Sequence, residues 1–489
     1  MNDRLSTKLS QSIPTVSIFL IGILLLILSG SLTYFSALFD YNHAVFDMPV
    51  IKLVGGLVLA GIIYLPLLPI IHQQGADSPI HRPLIFILAI SIGVAMRLVL
   101  IPSEPALEDD YQRYLWDGAV TAHGFNPYRF SPEAIKSNQE IPVELSKLST
   151  SSGAVIDRIN HPDLRTIYPL VTQAFFALSY WIKPWSITTW KLILLIMDLI
   201  TLCLLLILLK EVELPPIWSL LYWWNPVVLK ELFSSGHMEG ILTPFVLAAV
   251  LLAVRRFYWQ SSMILAIAAG VKIWPALLLP VLFRRLWRTP KKLVKQCSVF
   301  TALLIALFIP VFLAEMNASS GFLAYAQHWK TNSALTPAIE YFFQQLVMIT
   351  EIDLFTSNLL ARFTIAGLIL TTVLFICWEK IEHTEDILRR VSIIVTTIFF
   401  LSPAQFPWYL IWVLPFMTIF PVYGVLILTA TIPLYYTAFY LYPRELNYIF
   451  SNAIVWIIWI PAWIQLTVQV YSNGLRGYAP VKSSSGKQL

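Results

Sequence analysis

Three consecutive carboxylates, Glu108-Asp109-Asp110, open a segment that continues Tyr-Gln-Arg113-Tyr114-Leu-Trp-Asp117-Gly118. Read as a helix, it places Asp110, Arg113, Tyr114 and Asp117 at i, i+3, i+4 and i+7, on one face. A carboxylate there could be held by an arginine one turn on, with a phenol alongside. An oriented carboxylate of that kind can take a proton from an alcohol as the alcohol becomes a nucleophile. The same spacing also describes a solvated amphipathic helix with ordinary salt bridges. Three adjacent acids at the mouth of an apolar run weigh toward chemistry, because charge beside hydrocarbon is costly.

Other polar residues recur beside apolar runs. His123-Gly124-Phe125-Asn126-Pro127-Tyr128-Arg129, Asn160-His161-Pro162-Asp163 and Tyr168-Pro169 carry turn chemistry, with His161 able to donate to a ligand. Lys230-Glu231 and Ser235-Gly236-His237-Met238-Glu239-Gly240 follow Asn225-Pro226. They read either as an ion pair plus a glycine turn or as a second polar wall facing the acids. Lys272 stands alone in a long apolar stretch. It either snorkels toward the interface or meets an anionic head group, which suits a lysine point charge. Asp198, near the middle of an apolar run, is expected to pair with a neighbouring helix. Pro407-Trp408-Tyr409 could stack on a sugar ring, but belt anchoring is the expected role. No HxxH, HExxH or CxxC spacing exists, so a divalent metal is possible without support from ligand spacing, and no cofactor is expected.

The elements that must position these residues are membrane helices. Of 489 residues, 57% are hydrophobic and 12% charged, with mean hydropathy +0.71. Soluble domains run about 45–50% apolar and about a quarter charged. The composition excludes an ordinary aqueous enzyme, a disordered regulator and a nucleic-acid-binding module. It points to a polytopic membrane protein. The net charge of +5 is small for this length. Cys203, Cys297 and Cys377 cannot build a disulfide framework and are expected to pack.

Apolar length and Lys/Arg placement give a topology. Arg4 and Lys8 put the N-terminus in the cytoplasm. Spans are expected at Ile13–Phe35, Val50–Ile71 and Pro83–Ile101. Pro102–Tyr168 is the one long polar stretch, with ten acids and six Lys/Arg, and is assigned to the outer face. Thr166–Ile182 is apolar but short. Treating it as an interfacial helix keeps Arg255-Arg256 and Arg284–Lys295 inside. Spans follow at Thr188–Leu209, Ile217–Phe233 and Ile241–Val254. Ser261–Phe283 is broken by Gly270, Lys272, Pro275 and Pro280 and is expected to turn near Lys272. Further spans are expected at Cys297–Leu313, Asp353–Trp378, Val391–Leu401, Tyr409–Ile419, Val422–Leu441 and Tyr448–Val470. Arg389-Arg390, Arg476, Lys482 and Lys487 fall inside. The expected architecture is all-α, with about 12–14 transmembrane helices by the length rule. The chain divides into three N-terminal helices (1–101), an extracytoplasmic loop with interfacial helices (102–187), a helix bundle (188–471) and a cytoplasmic tail (472–489).

The blocks Asp110-Tyr-Gln-Arg113-Tyr114-Leu-Trp-Asp117-Gly118, Gly124-Phe-Asn126-Pro127-Tyr128, Asn160-His161-Pro162 with Thr166-Ile-Tyr168-Pro169, Trp224-Asn225-Pro226 with Gly236-His237-Met-Glu239, Gly270-Val-Lys272 and Pro407-Trp408-Tyr409 occur in this order. Together, over about Pro102 to Leu441, the chain resembles bacterial GT-C glycosyltransferases, particularly polyprenol-phosphate-mannose-dependent mannosyltransferases. The resemblance implies a GT-C-like bundle with a large extracytoplasmic catalytic loop. It implies transfer of a hexose, mannose first, from a polyprenyl-phosphate donor to a glycan or glycolipid hydroxyl, with inversion. Asp110 would be the base, with Asp109 beside it. Glu108, Arg113, Tyr114, Asp117, Asn126, Tyr128, His161, Tyr168, His237, Glu239, Lys272 and Arg444 would contact substrate. Among them Lys272, Arg113 and Arg444 would offset the phosphate. Family members more often carry Asn-Asp after Gly-His, so Met238-Glu239 departs from the pattern, and two N-terminal spans exceed the usual plan. The expected setting is a bacterial inner membrane with the site on the periplasmic or outer face. The expected partners are the donor, the acceptor and the bilayer, with no nucleic acid. The alternatives are a transporter or lipid flippase, which would show internal repeats and midplane charges, and a GT-C enzyme for another sugar such as aminoarabinose or glucose.

Overall fold

A computed structural model describes residues 2–41, 43–74, 79–137, 141–314, 317, 319–350 and 356–473. Arg476, Lys482, Lys487 and nearly all of the expected tail lie outside them, as does the start of the expected Asp353–Trp378 span. Helices dominate, and among the described residues the one β feature is an isolated bridge between Thr331 and Ala404. The longer helices are α1 (Asn2–Ser36), α2 (Val50–Tyr64), α3 (Pro83–Leu100), α4 (Asp110–Ala122), α5 (Leu170–Ile182), α6 (Ile187–Glu211) and α7 (Glu239–Val254). They continue with α8 (Tyr258–Val271), α9 (Pro290–Phe312), α10 (Leu335–Thr350), α11 (Ser357–Trp378), α12 (Thr384–Leu401), α13 (Tyr423–Thr431) and α14 (Val455–Asn473).

Among the described residues, eight helical runs are long and apolar enough to cross a membrane, by length and composition. The chain is therefore an all-α, multi-pass membrane protein. Twelve to fourteen such runs were expected, and the difference has local causes. The expected spans Ile217–Phe233, Ser261–Phe283 and Tyr409–Ile419 break into short helical turns next to prolines, α7 over the expected Ile241–Val254 is only 16 residues long, and α12 over the expected Val391–Leu401 opens with four charged residues, Glu385, Asp386, Arg389 and Arg390. Proline lacks the N–H that would continue a helix and crowds the preceding turn. Such breaks are tolerated at membrane depth where protein encloses the freed backbone groups. Tyr222, Trp223, Trp224, Phe233, Leu410 and Val413 around these breaks are indeed fully buried.

Between membrane helices the bilayer supplies little hydrophobic driving force, so close packing and hydrogen bonds carry the association. A Cβ on Gly93 of α3 would lie 2.1 Å from the indole nitrogen of Trp223, and one on Gly61 of α2 would lie 2.4 Å from the Ala430 backbone in α13. Glycine at these positions lets the neighbours touch. The buried indoles are paired: Trp223 donates to the Ile90 carbonyl at 3.0 Å and Trp224 to that of Ala89 at 3.1 Å.

One charged knot lies in the apolar interior. Arg97 of α3 donates to Asp198 of α6 at 2.6 Å, and Tyr222 donates to the other carboxylate oxygen at 2.6 Å. Arg97 also donates to the carbonyls of Gly93 and Trp223 and stacks 3.3 Å from the Trp223 ring. Asp198 thus pairs across helices, as its position required. Breaking a buried pair by removing one partner costs about 3–5 kcal/mol. Asp198→Ala should therefore sharply lower the thermal midpoint of the purified protein, and Arg97→Met/Asp198→Leu should recover a good part of the loss.

Candidate functional site

The acidic segment and the bundle meet around a cavity of about 680 Å³. Its first wall is the start of α4. Leu107, held at a φ of 60°, turns the chain so that Glu108, Asp109 and Asp110 all reach the cavity. Asn160 donates to Asp109 at 2.7 Å and to Asp110 at 3.3 Å. The expected grip of Arg113 on a carboxylate one turn back is not observed. Arg113 instead donates to the carbonyls of His161 and Leu164, both at 3.0 Å, and so holds the turn that carries Asn160. It steadies the acids through a neighbour and still lines the cavity.

Behind this wall α4 lies against α5. Gly118 makes the approach possible, since a Cβ there would sit 2.4 Å from the Phe176 carbonyl oxygen. Tyr114 stacks on Phe176 with ring centroids 4.7 Å apart and meets Tyr168 edge-on at 5.2 Å. Gln173 of α5 donates to the buried Asp117 at 3.2 Å.

Lys230 ties the acids to the bundle. Asn225 caps the helical turn at Pro226 by accepting from the Val227 N–H, and a π-helical turn follows over Lys230–Ser234. Such turns favour functional places because they re-aim side chains. Here Lys230 donates to Glu108 at 3.1 Å, to Glu231 at 3.3 Å and to the Tyr436 hydroxyl. The Tyr436 oxygen lies 2.7 Å from Glu108 and 2.9 Å from Glu231. Gly236, at a φ of 81°, then reverses the chain into His237. The His237 ring stacks on Trp408 at 3.8 Å, with Nε2 3.3 Å from Glu108 and Nδ1 3.9 Å from Asp110. Glu108, Glu231 and His237 present ligand atoms within 4.8 Å of one another and could hold a metal ion. The Lys230 ammonium already contacts both carboxylates, so an ion there would have to displace it.

The second wall is the break after α8. Lys272 adopts an extended backbone (φ −153°, ψ 137°) where the helix ends, as the sequence led us to expect. Its ammonium lies 3.0 Å from Glu239, 3.8 Å from the centroid of the Tyr409 ring and 4.6 Å from that of Trp412. Cation–π and ionic contacts hold it in place while 23% of the side chain stays open to the cavity. The head therefore points into the site rather than snorkelling. Trp408 and Tyr409 also line the cavity and are buried, which replaces the expected belt-anchoring role.

Of the residues singled out in the sequence, Glu108, Asp109, Asp110, Arg113, Tyr114, His161, Tyr168, Glu239 and Lys272 line this cavity. His237 sits directly behind it, against Glu108. Asp117, Asn126, Tyr128 and Arg444 do not line it. Asn126 donates to the Pro310 carbonyl at 2.8 Å, and Tyr128 donates to the Tyr168 carbonyl at 2.8 Å, so both brace the loop. Arg444 donates to the carbonyls of Tyr440 and Phe46 and stacks on Tyr440, at the connection between α1 and α2. Its charge has local partners and no access to the acids. Asn160 and Tyr436 do more at the site than their sequence context signalled. Asn160 sat in a turn motif, and Tyr436 lay in an apolar run like many other tyrosines.

Burial raises Asp109 to about 7, helped by the neighbouring Asp110 and Glu108. Burial also raises Asp110, with His237 opposing. For Glu108 burial works the same way, but Lys230 and then His237 outweigh it and hold the carboxyl well below the usual range. The three acids thus divide into one held as an anion and two whose proton affinity burial raises.

No family model, characterised protein or solved structure matches the chain.

Asp109 holds its proton more tightly folded than unfolded. The stability this brings is full below the ordinary carboxylate pKa and is lost as pH rises toward about 7. Asp109→Asn stays neutral, so its thermal midpoint should climb relative to the parent by several degrees from about pH 4 to about pH 7. Midpoints measured across that range check the sign.

Proposed function

We propose that the protein is a membrane glycosyltransferase of GT-C type that moves a hexose from a polyprenyl-phosphate donor to an acceptor hydroxyl. One observation carries the reading: carboxylates with raised proton affinity and an aromatic-held lysine line the same cavity. The cavity also presents apolar and aromatic surface from Phe308, Phe322, Ile398 and Phe406. A sugar linked through phosphate to an isoprenoid has matching parts, namely hydroxyls, an anion and a hydrocarbon tail.

In the proposed reaction the acceptor oxygen attacks the anomeric carbon from the face opposite the phosphate. The new C–O bond forms as the sugar–phosphate C–O bond breaks. Its electron pair leaves with the polyprenyl phosphate, and the acceptor proton passes to Asp110. Lys272 meets the charge developing on the leaving phosphate, in a site where preorganised groups act strongly. Asp109, raised to about 7 and so partly neutral there, lowers the negative charge that the donor must approach. Glu108 stays an anion, neutralised by Lys230. Glu239 fixes the Lys272 head. The sugar lies at the edges of Trp408 and Tyr409, whose faces are covered by His237 and Phe406 and by Lys272 and Trp412. The acids belong to the loop expected on the outer face, so the donor is lipid-linked rather than a nucleotide sugar.

Removing a positioned base typically lowers a rate by about 10²–10⁴-fold. Asp110→Asn should therefore all but abolish transfer from short-chain polyprenyl-phosphate hexoses, read by product mass, with its thermal midpoint kept. Full turnover in that variant would remove Asp110 from the mechanism. Lys272→Gln should weaken donor use by roughly tenfold or more, the order of one hydrogen bond to a charged group, and its donor titration would show this. A protein that transfers no sugar from any such donor, yet moves lipid or ion across a vesicle wall, would favour the transporter reading.

A further inference from the structure

A second cavity of about 280 Å³ lies between α1 and α2, on the far side of Lys230 from the cavity the acids line. Leu28, Phe35, Leu53, Gly56 and Leu57 line it, and its inner wall includes Lys230. Its surface is mostly hydrocarbon. Phe35 and Leu38 at its mouth are 53% and 41% exposed, so it opens toward the surface that faces lipid. The groove has room because α2 presents Gly56 to it. A Cβ there would meet no atom within 4 Å. Unlike Gly61 further along the helix, Gly56 does not serve close packing, and it leaves room beside the helix.

Lys52 completes the groove. It lies in the first turn of α2, is exposed, and lines the cavity. That turn is at the end of the bundle that carries the acidic loop. The Glu104 N–H donates to Ser36 at the end of α1, and Arg158 of the loop stacks on Tyr41 in the α1–α2 connection. Asp40 pairs with His43 at 2.7 Å, and among the described residues no carboxylate forms an ion pair with Lys52. An open hydrocarbon slot with one uncompensated lysine at head-group depth matches a lipid chain carrying a phosphate. A lysine near the membrane surface attracts an anionic lipid head group.

We propose that this groove holds one anionic phospholipid, its chain beside Gly56 and its phosphate at Lys52. The lipid would sit in the leaflet on the loop side, with its chain packed against the outer face of Lys230. The site is separate from the cavity that holds the acids, and it does not rest on the glycosyl-transfer reading.

The test is native mass spectrometry of the purified full-length chain after exchange into phosphatidylglycerol or, separately, phosphatidylcholine. The parent should retain one phosphatidylglycerol and release phosphatidylcholine. Gly56→Trp fills the slot and should remove the retained lipid. Lys52→Glu should lower phosphatidylglycerol retention by at least about fivefold, the order expected for one lysine charge near an anionic lipid. Lys52→Arg should keep it. Unchanged thermal midpoints separate lipid loss from unfolding, and Gly56→Leu serves if the tryptophan does not fold. Unchanged retention in either the slot-filling or the Lys52→Glu variant, or phosphatidylcholine held as tightly as phosphatidylglycerol, overturns the proposal.

Discussion

The ammonium of Lys230 sits where three parts of the chain meet: Glu108 from the polar loop, Glu231 from its own turn, and Tyr436 from near the C-terminal end. All of these are nearly inaccessible to water, and two carboxylates there would repel each other without the cation between them. A buried pair is weak evidence for stability by itself, because desolvation offsets much of the attraction. Its effect here is on position. The bond to Glu108 anchors the loop to the bundle one residue before Asp109 and two before Asp110. Those two acids then lie within the same cavity as Lys272, which the chain supplies far downstream.

That anchoring explains the division of labour among adjacent carboxylates. Glu108 spends its charge on Lys230 and His237 and remains an anion. Asp109 and Asp110 have no cation of equal strength, so burial raises both. Asn160 bridges them, and Arg113 fixes Asn160 through the backbone of its turn. On the opposite wall Glu239 and two aromatic rings hold Lys272. The cavity is lined by both signs of charge, each held by fixed partners in the same walls, which is the condition for preorganised electrostatics.

The membrane class was legible because apolar length is a strong signal. The acidic segment and Lys272 stood out because charge beside hydrocarbon is rare. The break at Lys272 was legible from Gly270, Pro275 and Pro280. The span count was less so. Proline-broken segments such as Ile217–Phe233 are as apolar as whole helices, and hydropathy cannot tell them apart. Side-chain direction was also hidden. Helical spacing put Arg113 over Asp110, but a long guanidinium can turn to carbonyls of another segment, and it does. Arg444 shared the charge and the expected side of a phosphate-binding cation, yet it is held by Tyr440 four residues back and by Phe46, 398 residues away in sequence. Tyr436 was invisible for the same reason: only the tertiary fold brings its hydroxyl to Glu108 and Glu231.

The central claim is that the loop acids and Lys272 form one site for a lipid-linked phosphosugar. A cryo-electron microscopy structure of the Asp110→Asn protein with a short-chain polyprenyl-phosphate hexose addresses it directly. The account predicts donor density in the 680 Å³ cavity, with phosphate at the Lys272 ammonium, the ring beside Trp408 and Tyr409, and the anomeric carbon facing residue 110. Donor density elsewhere, or a phosphate in that cavity turned away from Lys272, would contradict it.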